Sequence, residues 1–199
     1  MSPQAEVADE QLMRDYAAGQ MRAFEMLYDR HGMRVWRYLY RSLRDAAAAE
    51  DLAQDVWLRV ARHASAYRPQ AARADRPAAR FATWLMTIAH HRLVDHQRAA
   101  RPMHSLDLAL DDERPLADTL AAPSGFGPVR RIETRQQAAQ LLAALERLPA
   151  VQRQAFLLQA EGELSVADIA AATGVGIETA KSRLRYARAA LRRALEDLA

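Results

Sequence analysis

The chain contains no cysteine, which excludes disulfides and thiolate metal sites and suits a reducing interior. Glycine is scarce, with seven in 199 residues, and neither a phosphate-cradling glycine loop nor a serine nucleophile elbow can be found. No apolar run approaches membrane-spanning length, and the acidic N-terminal MSPQAEVADE lacks a hydrophobic signal core. These absences predict a cytoplasmic protein without membrane insertion. No run resembles paired β-strands.

What remains is helical material. Half of the residues are hydrophobic, and alanine, leucine and arginine dominate, a composition that favours helix nearly everywhere and predicts an all-α fold. The net charge is only +3, yet the basic residues are segregated along the chain, and segregation matters more than the total for a polyanionic partner.

The strongest local signal is Ser165 to Arg188, SVADIAAATGVGIETAKSRLRYAR. It reads as two helices around a tight turn, with the bases crowded onto the second. Ala170 allows close helix approach and Gly174 supplies a left-handed turn residue. Ser165 is placed to cap the first helix, with Asp168 favouring its positive end. Thr179, Lys181, Ser182, Arg183 and Arg185 fall in the opening turns of the second helix, where a helix-turn-helix presents the side chains that reach base edges. Ile177, Ala180 and Leu184 are expected to turn inward.

Four of the eight prolines, Pro102, Pro115, Pro123 and Pro128, fall in one stretch with Gly125 and Gly127. Five acids stand there against the single base Arg114. This is the composition of a flexible acidic linker that repels DNA. The expected organisation is therefore two small helical domains, residues 1–101 and 132–199, joined by a linker at 102–131, with the helix-turn-helix in the second. Before the linker, helices are expected at about Asp9–Ala18, Met21–Arg44, Ala47–Ala66 and Ala78–Ala100; after it, at Ile132–Arg147, from Pro149 to Glu161, and through the motif. In the second helix Phe24, Leu27, Tyr28, Val35, Trp36 and Leu39 recur at helical spacing, and in the third Leu52, Val56, Leu58 and Val60 define an apolar set. Both sets are expected in the core.

Four blocks, AFEMLYDRHG (Ala23–Gly32), AEDLAQDVWLRV (Ala49–Val60), FATWLMTIAHHRLVDHQRAAR (Phe81–Arg101) and LPAVQRQAFLLQAEGELSVADIAAATGVGIETAKSRLRYAR (Leu148–Arg188), follow in that order. Together with the two-domain plan they resemble a bacterial sigma factor of the small extracytoplasmic-function (ECF), RpoE-like group, over nearly the whole chain. The resemblance implies a first domain that binds core RNA polymerase and the promoter's minus-10 element, and a second that reads the minus-35 element. Docking on the clamp helices of the largest polymerase subunit falls by position on Asp51, Gln54, Asp55 and Arg59. Capture of a flipped minus-10 base, with the phosphates around it, falls on His63, Tyr67, Arg80, Ile88, Ala89, His91, Arg92 and Arg98. Tyr67 is the expected stacking face and His91 the hydrogen-bonding group. Asparagine is usual in the family where His91 stands, and imidazole offers a different donor and acceptor set. Minus-35 contacts fall on Thr179, Lys181, Ser182, Arg183, Arg185 and Arg188, the last on phosphate. Many relatives have glycine where Glu178 stands, and its role is left open. The partners implied are core polymerase, promoter DNA and an anti-sigma factor; no cofactor and no metal is implied.

Helical spacing with Phe81, Leu85 and Ile88 assigns Trp84 to the core rather than to base stacking. The best case for an enzyme is His90, His91, Asp95 and His96 on one helix, which lacks the further ligands that a catalytic metal requires. A stand-alone helix-turn-helix regulator would need a dimer interface and paired half-sites. A pure sequestering module would leave the basic helix without use.

Overall fold

The apolar periodicities resolve into eight α-helices: α1 (Asp9–Ala17), α2 (Met21–Leu43), α3 (Ala46–His63), α4 (Phe81–Ala99), α5 (Arg135–Arg147), α6 (Ala150–Ala160), α7 (Val166–Thr173) and α8 (Ile177–Glu196), with a 3-10 turn at Ala64–Ala66. They are taken from a computed structural model that describes residues 7–67, 80–100 and 135–196. There is no strand among the described residues, and the fold is all-α as expected. The expected linker at 102–131 and most of the arginine-rich loop before Arg80 lie outside the described residues, as do the first residues of the helices expected to start at Ala78 and Ile132.

Helix ends follow local chemistry. The Asp45 side chain accepts from the Ala48 amide at 3.1 Å and caps α3. Arg44, between α2 and α3, takes a left-handed conformation with φ 63° that ends α2. Pro149 sits just before α6, where no amide donor is required of it.

Helices α1 to α4 close around Leu12, Met13, Leu27, Val35, Leu39, Val56, Val60, Leu85 and Leu93, all buried. Each such side chain contributes about 1.5–3 kcal/mol by leaving water. Phe24, Trp57 and Tyr28 form an aromatic chain, with Phe24 meeting Trp57 edge-on at 5.6 Å. Three expectations are corrected here. Leu58 is 54% exposed, because at 100° per residue it lies opposite Val56 and Val60, and Trp57 takes the inward place. Tyr28 covers Trp57 from outside and remains half open to solvent. Ile177, the first residue of α8, is likewise exposed while Ala180 and Leu184 are buried, since a first-turn side chain leans toward the helix start and past the packed region.

Polar groups are also buried in this half. Asp9 receives Arg30 at 2.8 Å and lies 2.7 Å from His31 Nε2. Burial would raise the Asp9 carboxyl, but its hydrogen bonds to His31 and Arg30, with their charges, hold it below the ordinary value.

Helices α5 to α8 enclose a second set, Leu145, Leu157, Leu158, Leu164, Ile169, Leu184 and Leu191. The two sets meet: α6 packs on α2 and α7 on α4. Glu161, at the end of α6, is held by Arg37 Nε at 2.9 Å and Arg41 Nη1 at 2.6 Å, both from α2.

Candidate nucleic-acid and polymerase interfaces

The helix-turn-helix is built as its residues require. Ser165 Oγ accepts from the Asp168 amide at 3.2 Å and donates to the Asp168 carboxylate at 2.7 Å, so side chain and helix dipole agree at the start of α7. Gly174 takes φ 69°, a conformation in which a β-carbon would be strained. Ala170 is buried at the crossing of α7 and α8.

On α8, Lys181 and Arg185 are exposed, and Thr179, Ser182, Arg183 and Arg188 are half-buried. Lys181 pairs with Glu178 at 2.8 Å; both are open to water, so the pair is weak and easily exchanged for a phosphate. The Arg185 guanidinium lies 5.0 Å from the Tyr186 ring, which limits its freedom before any contact with DNA. Arg188 donates to Gln159 Oε1 on α6. That anchors it at the side of the motif, as fits a phosphate contact better than a base contact.

The expected minus-10 residues divide. His63, Arg80, His91 and Arg98 are exposed and Ile88 is half-buried. His63 Nδ1 lies 2.9 Å from the Arg59 carbonyl, to which it donates when protonated. Tyr67 and Ala89 do not offer the surfaces expected of them. Ala89 is fully buried. The Tyr67 ring packs on Trp84 at 4.9 Å and on Phe81 at 6.0 Å, so its faces are taken by the core. Burial, then the charges of Glu10 and Asp9, push its phenol up to about 12, against the pull of Arg14. Trp84 belongs to this same aromatic cluster, as its spacing predicted.

The adjacent histidines are unlike. His91 faces solvent, whereas His90 is buried with Nδ1 2.7 Å from the Tyr38 hydroxyl. Burial first, then the charges of His91 and Arg183, push the His90 imidazole down to about 4, so near neutrality Tyr38 donates to an uncharged ring.

Asp51, Gln54 and Arg59 are exposed along α3 and Asp55 is half-buried beside them. Leu58, unforeseen there, lies on the same open face. Asp55 accepts from Arg92 of α4 and lies 3.8 Å from Arg59, and Arg92 also reaches Asp95 at 3.4 Å. Arg92, expected on phosphate, is therefore committed to two carboxylates. Nothing local in the sequence marks that pairing, because its partners lie on different helices. Among the described residues, no three His, Asp or Glu side chains are grouped to hold a metal ion. No described helix is long and apolar enough to cross a membrane.

Comparison with known proteins agrees with this layout. The model of sigma-70 region 2 matches residues 27–102, and that of sigma-70 region 4 matches residues 138–191. The ECF RNA polymerase sigma factor SigK of Mycobacterium ulcerans is 34% identical, over 93% of this chain and 92% of its own. SigL of Mycobacterium tuberculosis, also an ECF RNA polymerase sigma factor, is 34% identical over 92% of this chain and 94% of its own. In fold the chain is similar to CnrH solved in complex with the cytosolic domain of CnrY, with a TM-score of 0.61 at 22% identity, covering 96% of this chain and 99% of that one. Residues 27–102 and 138–191 thus correspond to the two regions that define a sigma-70-type factor. The chain belongs to the ECF RNA polymerase sigma factors. Its function is promoter-specific transcription initiation.

Proposed function

We propose that α8 reads the minus-35 element through Thr179, Lys181, Ser182, Arg183 and Arg185, with Arg188 on phosphate. The observation that supports this most directly is the capped α7, turned at Gly174 into a helix whose first turns bear Lys181, Arg183 and Arg185. Phosphate contacts give register and affinity, and base-edge contacts give sequence choice.

For the minus-10 element, exposure favours His91, with His63 and Ile88 beside it and Arg80 and Arg98 on phosphates. A flipped base costs a few kcal/mol to extract, and His91 supplies a hydrogen bond toward that cost. Tyr67 and Ala89 would join the pocket only after rearrangement of the aromatic cluster. Arg92 would act by fixing α4 to α3. Polymerase docking falls on Asp51, Gln54, Asp55 and Arg59. Domain limits at 1–101 and 132–199, a cytoplasmic location, and no catalytic site of its own complete the reading.

An anti-sigma factor is proposed as the inhibiting partner. The sigma factor RpoE of Bartonella quintana, solved with the anti-sigma factor NepR, shares the fold at a TM-score of 0.56.

The test is transcription by bacterial core polymerase on a genomic promoter library with and without this protein. Starts that depend on it and share two spaced elements are expected. Tight duplex binding by the protein alone, with no dependence on polymerase, would overturn the reading in favour of a stand-alone regulator.

A further inference from the structure

Helix α2 carries Arg34, Arg37, Arg41 and Arg44 at three- and four-residue steps, which makes one cationic stripe along its length. Each of these arginines meets a carboxylate from the other half of the molecule. Arg34 lies 3.1 Å from Glu163, Arg37 and Arg41 hold the two oxygens of Glu161 at 2.9 and 2.6 Å, and Arg44 reaches Glu146. Glu161 is the centre of the set, with a side chain only 8% exposed.

The segment that delivers these carboxylates fits closely. A β-carbon on Gly162 would stand 2.8 Å from Met86 Cγ of α4 and 2.7 Å from the Leu158 carbonyl, so no larger residue allows this approach. Glu163 takes a left-handed φ of 56°, uncommon for a side-chain-bearing residue, and its carboxylate faces Arg34. Gln154 of α6 donates to Gln97 of α4 at 3.1 Å, and Arg153 reaches the Ser42 carbonyl at 3.5 Å. The interface is polar, and its charges match in sign.

This contact conflicts with the task of the two reading surfaces. Elements named for positions minus-35 and minus-10 are about 25 base pairs apart, or roughly 85 Å along B-DNA. Units joined by ion pairs under 3 Å cannot reach both. Arg183 of the reading helix is also near enough to α4 for its charge to act on His90, so it is turned toward α4.

We propose that the α2 arginine stripe is an intramolecular docking surface for the loop after α6, and that the Arg37–Glu161–Arg41 clasp holds the free protein closed until polymerase or promoter separates the two units. The proposal rests on the assignment of α8 to the minus-35 element. A partner that binds the open form must supply the closing free energy, so the clasp lowers apparent affinity for duplex by the fraction that is open.

The absence of cysteine allows clean dye labelling of the full chain at Asp29→Cys and Arg192→Cys. Glu161→Arg, which places like charges together, is expected to lower energy transfer in the free protein. It is also expected to raise affinity for a minus-35 duplex by about 5- to 150-fold, the range of typical coupling between sites. Combining Arg37→Glu, Arg41→Glu and Glu161→Arg reverses the clasp and is expected to restore both values toward the parent's. Unchanged transfer with native helical circular dichroism overturns the proposal, as does lowered transfer with unchanged duplex affinity. Should Glu161→Arg fail to fold, the isosteric Glu161→Gln is measured in its place, with the same criteria. If no variant binds duplex and none starts transcripts with core polymerase, it is the assignment of α8 that fails, and energy transfer alone then decides the clasp.

Discussion

The Tyr38 hydroxyl on α2 and His90 Nδ1 on α4 are 2.7 Å apart, in the interior of the first helical unit. Their contact makes stability pH-dependent. The imidazole has an ordinary value of 6.5 and is pushed down to about 4 when folded, so between those values the unfolded chain binds the extra proton. The contribution is complete above pH 6.5 and is lost as pH falls through 4, a difference of about 3 kcal/mol. Urea midpoints of the parent and His90→Gln between pH 7.5 and 4.5 check this, with the parent showing the steeper fall.

Asp55 and Arg92 tie the proposed polymerase face to the helix of the proposed minus-10 site. Both side chains are partly exposed, so solvent reduces the strength of the pair. A double-mutant cycle with Asp55→Ala and Arg92→Ala is expected to give a coupling of about 0.5–1 kcal/mol. Additive losses would mean that the two residues stabilise the fold independently.

Gly162→Ala tests the closeness of the loop after α6. The added methyl meets the Leu158 carbonyl at 2.7 Å, which is backbone and cannot swing aside. A loss of about 1–3 kcal/mol is expected in thermal or urea unfolding.

Ser165→Ala removes the cap of α7 while leaving Asp168 to favour the helix dipole. A loss of about 1 kcal/mol is expected, concentrated in faster hydrogen exchange of the first amides of α7. Uniform exchange across α5 to α8 would place the effect elsewhere.

Arginines of different duty separate by specificity. Arg185→Ala is expected to cost about 1–3 kcal/mol on the preferred minus-35 sequence and to relax choice at one base, whereas Arg188→Ala weakens all sequences alike. Competition binding against a randomised minus-35 library distinguishes the two patterns.

Much of this protein follows from local sequence. Composition and the 3.6-residue period place the helices, because apolar residues at helical spacing leave a chain poor in glycine little alternative. Ser165 and Gly174 mark the ends of α7 because capping and left-handed turns depend on nearest neighbours. The exposed bases of α8 are legible for the same reason. Tertiary structure decided what packing and distant charge control. Leu58 and Tyr28 are apolar by type but outside by angle and by competition with Trp57. His90 and His91 are adjacent and chemically alike, yet α2 buries one against Tyr38 and leaves the other in water. Tyr67 loses its open faces to Phe81 and Trp84. Arg37, Arg41 and Glu161 lie more than a hundred positions apart, where no local period or cap relates them. The folding of α6 onto α2 alone brings those charges together, since an ion pair depends on distance in space and not on order along the chain.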